Sequence, residues 1–178
     1  MKKICFLLVL LFVFKASNGQ FYTTKNGFTG FYSKTPFEDI IAENNQVYAV
    51  MDIAKKTLAF SMLMKGFIFK KELMQEHFNE NYAESDKYPK ATFTGTFNEV
   101  VDVAKDQNIT LHISGIITLH GVSKPLNTTA ILQIQNDLLN GNCSFALIPG
   151  DFNITIPSLV KEKIAKEINV QVKISLHQ

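Results

Sequence analysis

The chain has 178 residues, 46% of them hydrophobic, with 18 basic and 16 acidic side chains. That length suits one domain with a substantial core, of the size that buries about 70% of its unfolded surface. All the basic residues are lysine, so arginine's two-pronged grip on carboxylate or phosphate is missing, and the near-neutral balance leaves no electrostatic footprint for nucleic acid.

In chain order, the first feature is an export signal. Met1-Lys2-Lys3 is basic, residues 4–14 are unbroken apolar, and Ser17 and Gly19 supply the small pair of a cleavage site after Gly19. Eleven apolar residues fall short of the roughly 20 that span a bilayer, so no stable membrane insertion is expected once the signal at 1–19 is removed. The remaining 20–178 carry 15 lysines against 16 carboxylates, a net charge of −1. Only Cys143 is left, so no internal disulfide can form and stability has to come from packing.

Period-two alternation then dominates. Ile109, Leu111, Ile113, Ile117 and Leu119 alternate with Thr110, His112, Ser114 and Thr118, with Gly115 the exception. Ile168, Val170, Val172, Ile174 and Leu176 alternate as strictly. Further strands read over 47–53, 57–64, 91–97, 126–134 and 143–156, each with one apolar and one wet face. Turn signals fall at Asn44-Asn45, Lys55-Lys56, His120-Gly121 and Asn140-Gly141-Asn142, and Pro149-Gly150 marks a bend. Helical spacing reads over 71–82, where Met74, Phe78 and Tyr82 share a face, and over 157–167 behind Pro157. One-sided antiparallel strands of this length predict an all-β fold, a closed antiparallel barrel with one or two short helices at an end or edge.

Catalytic signals are thin. His77, His112, His120 and His177 lack metal-ligand spacing, no Gly-x-Ser-x-Gly elbow occurs, and Cys143 lies mid-strand without a histidine near it in sequence. Glu72, Glu76, Glu80, Glu84 and Asp86 read as a solvated face. Four Asn-x-Ser/Thr sites, at Asn108, Asn127, Asn142 and Asn153, are explained by turn and strand chemistry. The residues predict no enzyme, cofactor or metal. They do predict a methionine- and phenylalanine-rich interior at Phe60, Met62, Met64, Phe67, Phe69 and Phe93, which suits a solid core and an apolar pocket equally well.

Three motifs carry a family resemblance: His77-Phe78-Asn79-Glu80-Asn81-Tyr82; Asp86-Lys87-Tyr88-Pro89-Lys90-Ala91-Thr92-Phe93; and Ile113-Ser114-Gly115 running on to Leu119-His120-Gly121-Val122-Ser123-Lys124-Pro125. In order and spacing they resemble the YceI-like proteins, exported bacterial barrels associated with polyisoprenoid binding, over about 66–176. The segment 27–51 lacks the family's usual opening, with Gly30-Phe31-Tyr32-Ser33 as its counterpart.

The resemblance implies a lipocalin-like barrel whose interior holds a long-chain isoprenoid or other apolar lipid for transport, storage or sequestration, in the periplasm or secreted. The ligand tail is expected along Phe60, Met62, Phe67, Phe93, Leu111, Ile113 and Phe145, with Phe78 and Tyr82 at the mouth. The competing expectation is a solid barrel serving as a stress-related or protein-interaction module. Homodimerisation is left open.

Overall fold

A computed structural model describes residues 21–34, 39–157 and 165–178. The signal expected at 1–19 and most of the helix expected over 157–167 fall outside these residues. The strands are β1 (Phe21–Ser33), β2 (Ile40–Asp52), β3 (Thr57–Leu63), β4 (Ile68–Phe69), β5 (Lys90–Phe97), β6 (Gln107–Leu119), β7 (Val122–Gln135), β8 (Leu138–Leu147) and β9 (Ile168–Leu176). Helix α1 (Glu72–His77) lies between β4 and β5.

Pairing is antiparallel throughout, in the order β1-β9-β8-β7-β6-β5-β3-β2, and β1 pairs with β2 to close the sheet into an eight-stranded barrel. Backbone bonds between Thr23 and His177 extend the β1–β9 seam. The two-residue β4 is added on β2 beyond the end of β3. Closure leaves no edge strand in the barrel, which suits a protein built from one-sided strands.

The hairpins follow from residues that tolerate positive φ. His120 (φ 51°) and Gly121 (φ 74°) form the two-residue turn between β6 and β7, as expected for an Xaa-Gly pair. The turn between β7 and β8 is Asn136-Asp137, at φ 50° and 63°. The turn expected at Asn140-Gly141-Asn142 is instead continuous strand. Gly141 pairs with Leu132 and Ile174 there, and a side chain on it would lie 2.9 Å from Ile174.

Asn44-Asn45 is likewise strand rather than turn. The register against β1 slips between Gly27 and Thr29 opposite it, so these residues form a bulge. The strand expected over 143–156 ends at Leu147. A 3-10 turn (Pro149–Phe152) then takes over, and Asn153, at φ 58°, ends it.

One end of the barrel is packed solid. Tyr22, Phe97, Leu132, Ile134, Leu139 and Leu176 are all buried there. Each such side chain contributes about 1.5–3 kcal/mol on burial. A second cluster, around Met64, Phe67, Phe69, Ala83 and Ala91, forms under α1.

Candidate functional site

Between the two clusters the barrel is hollow. The cavity has a volume of about 200 Å³ and an accessible wall that is apolar throughout. A single water needs roughly 10–15 Å³ by a comparable measure. The interior therefore has room for chain-like hydrocarbon.

Phe60, Met62, Phe67, Phe78, Phe93, Leu111, Ile113 and Phe145 all line the cavity. Tyr82, placed at the mouth by sequence, is not on the wall. The residue after it, Ala83, is. The physical reason is a change of helical winding. α1 runs into a π-type turn (Phe78–Tyr82), closed by an Ala83 N–H to Phe78 carbonyl bond of 2.7 Å. The wider turn breaks the i, i+4, i+8 face on which Phe78 and Tyr82 were aligned.

Sequence reasoning did not anticipate the contribution of β1, where Thr29 and Phe31 line the wall. Lys25, Asn26 and Gly27 interrupt the alternation there, and the bulge shifts its phase. Val170 and Val172 of β9 also line the cavity, and the strict alternation of that strand was the signal for them.

The Gly115 exception is a close approach of β5, where a side chain would run into the Thr94 carbonyl as well as the Phe93 ring. Gly115 pairs with Gly95, and a side chain on either would come within 2.6–2.7 Å of the Phe93 ring. Two adjacent glycines thus clear the space in which that ring lies along the wall.

The upper end is roofed by phenylalanine. Phe78 sits 5.0 Å from Phe69, 5.4 Å from Phe31 and 5.7 Å from Phe67, measured between ring centroids. These tilted and edge-on contacts seat the helix over the lumen. Asn44 fixes the place where β3 leaves β2. Its Nδ2 donates to the Leu63 carbonyl at 2.9 Å, and its Oδ1 accepts the Gln46 N–H at 2.8 Å.

His120 ties three segments together behind this end. It is only 7% exposed, with Nδ1 3.0 Å from the Phe152 carbonyl and Nε2 2.7 Å from Glu84 Oε2. A carbonyl only accepts, so Nδ1–H donates to it, and a proton has to lie between Nε2 and the carboxylate. The Tyr88 ring packs on the imidazole at 4.3 Å, and a side chain on Gly121 would meet that ring at 2.6 Å. With both nitrogens engaged, the ring is placed as a clamp rather than as a base serving a nucleophile. Leu119, Phe152 and Ala83, next to or within the clamped segments, line the cavity.

Few polar groups reach the wall. Thr128 Oγ1 lies 3.4 Å from Cys143 Sγ, and burial raises the pKa of that thiol, keeping it protonated and unreactive. Thr29 is 2% exposed, and its Oγ1 has no hydrogen-bond partner. An orphaned hydroxyl of this kind costs about 1–3 kcal/mol. Among the described residues no group of three His, Cys, Asp or Glu side chains could hold a metal ion, and no helix is long and apolar enough to cross a membrane.

The fold has solved relatives. A polyisoprenoid-binding domain from Saccharophagus degradans, implicated in plant cell wall breakdown, superposes with a TM-score of 0.76 at 13% identity, covering 89% of this chain and 98% of that one. BcnA of Burkholderia cenocepacia gives a TM-score of 0.71 at 12% identity, covering 85% and 96%. A Campylobacter jejuni YCEI protein gives 0.59 at 17% identity, covering 75% and 82%. At such identities the likeness speaks for the fold alone. No curated protein matches the sequence. The model of the YceI-like domain matches residues 13–176, nearly the whole chain, and the chain therefore belongs to the YceI-like family.

Proposed function

We propose that this protein is an exported carrier that holds a long-chain, polyisoprenoid-like lipid inside its barrel, for transport, storage or sequestration in the periplasm or outside the cell. The observation that carries the reading is the hollow interior with its apolar wall. Apolar burial stabilises such a complex at about 25 cal/mol per Å² removed from water, and among the described residues no charged lining group has to be desolvated. Membership of a family with a polyisoprenoid-binding structural neighbour supports the same reading. The basic and apolar residues at 1–14 support export.

In this reading the tail lies along Phe60, Met62, Phe93, Leu111, Ile113 and Phe145. Phe67 and Phe78 cover it at the mouth. The competing solid-barrel module calls for a filled interior, which the cavity argues against.

Titration of delipidated protein with a fluorescent prenyl probe tests the assignment. Phe93→Asp puts an unpaired carboxylate beside the lumen and is expected to abolish folding or probe uptake. Asp86 is 93% exposed and pairs with Lys65, so Asp86→Asn is expected to bind normally. Equal effects of the two substitutions would overturn this map.

A further inference from the structure

The barrel wall is not bonded along its full height. β7 pairs with β8 from Gln135 and Leu138 up to Ala130 and Cys143, and there the ladder stops, although β7 extends upward to Val122 and β8 to Leu147. The flanking seams hold over the same stretch. β7 stays paired with β6 as far as Val122, and β8 with β9 as far as Leu147. Where β3 parts from β2, the Asn44 amide bridges the break by bonding Leu63. Among the described residues no hydrogen bond spans β7 and β8 above the Thr128–Cys143 contact. The reason lies in β7 itself. His120-Gly121 is a two-residue turn, so Leu119 and Val122 form a bonded pair, and bonded pairs alternate along the hairpin. Pro125, opposite Ile116, therefore turns its nitrogen toward β8. That nitrogen carries no hydrogen, so β8 cannot be zipped onto it.

We infer that this seam is the port through which a lipid chain enters and leaves the barrel sideways, and that Leu126 is the side chain that gates it. The cavity reaches both margins of the seam: Leu126 and Thr128 line it from β7, Phe145 and Leu147 from β8. The base of the port is the Ala130–Cys143 pair. Its top is the Pro149–Phe152 turn, whose Phe152 carbonyl accepts a hydrogen bond from His120. Both ends are thus fixed, while the margins between them meet through side chains alone. Widening the seam breaks no backbone hydrogen bond, whereas parting two fully paired strands forfeits a run of them. The roof is a harder way out, since Phe78 packs there on three other rings and Glu84 is bonded to His120. Leu126 faces the lumen from the middle of the unpaired stretch 122–129, so a passing chain has to displace it.

This inference rests on the lipid-carrier reading, and the test separates the two. Stopped-flow uptake and release of anthraniloyl geranylgeraniol are followed in delipidated wild type, Leu126→Ala, Leu126→Phe and Phe78→Ala. Leu126→Ala is expected to raise the uptake rate about fivefold, the scale of an apolar group that no longer has to be displaced. Leu126→Phe, which narrows the seam, is expected to slow uptake. Phe78→Ala removes a ligand contact at the roof, so it is expected to speed release and leave uptake unchanged. The uptake rate is the telling readout, because a residue that only touches the bound chain acts on release. If neither Leu126 variant changes uptake, or if Phe78→Ala speeds it as much as Leu126→Ala does, the port is wrong and the carrier stands. If the probe does not enter wild type, both fall.

Discussion

Glu99 and His112 show how a single side chain on the outer face gives the barrel a pH dependence. The imidazole Nδ1 lies 2.6 Å from Glu99 Oε1, and the His112 backbone N–H donates to the same oxygen at 3.1 Å. The hydrogen bond from the His112 side chain is the main reason the Glu99 carboxyl is pulled down to about 2. An unfolded glutamate titrates at about 4.3. The folded state therefore gains full benefit above that value and loses it as pH falls toward 2. Thermal midpoints measured across this range should fall less steeply for Glu99→Gln than for wild type, and the two curves should converge at the acid end. Parallel curves would show that the pair contributes nothing. His112 is largely exposed, so solvent limits the effect to a change of slope.

Elements with uninterrupted alternation were legible from sequence, while those bent by a bulge or a changed winding were not. β6 and β9 read almost residue for residue, because each buries one face along its whole length. β1 did not, since Lys25, Asn26 and Gly27 look like loop and acquire meaning only where Gly27 packs against Val47 and Ile174. Asn44 is the sharper case. As a sequence signal it denotes a turn, yet here it is fully buried in β2, with its amide supplying bonds that the bulge denies the backbone. Asn44→Ala strands the Leu63 carbonyl and the Gln46 N–H, and is expected to cost about 2–3 kcal/mol in urea unfolding. A change under 0.5 kcal/mol, the scale of an ordinary surface substitution, would contradict the role assigned to it. The cavity wall was partly legible for the same reason as the strands. Phe60, Met62 and Phe93 follow from alternation, whereas Thr29 is visible only as an unsatisfied atom in three dimensions.

For the molecule as a whole, the decisive property is that an eight-stranded barrel can be either filled or hollow. Composition did not separate the two, because Met and Phe serve a solid core and a ligand wall alike. Here the large side chains are divided between a packed floor and a phenylalanine roof, and the space between them is open. The His120 clamp, the Asn44 staple and the glycine pair under Phe93 maintain that space from outside it. An unfilled apolar lumen forgoes packing contacts, a loss that a bound chain restores. Native mass spectrometry of protein purified from its own host tests this most directly. The account predicts an added mass matching a long-chain apolar lipid, lost on organic extraction and restored by a prenyl-chain lipid. A bare chain that still takes up no apolar lipid after extraction would contradict it.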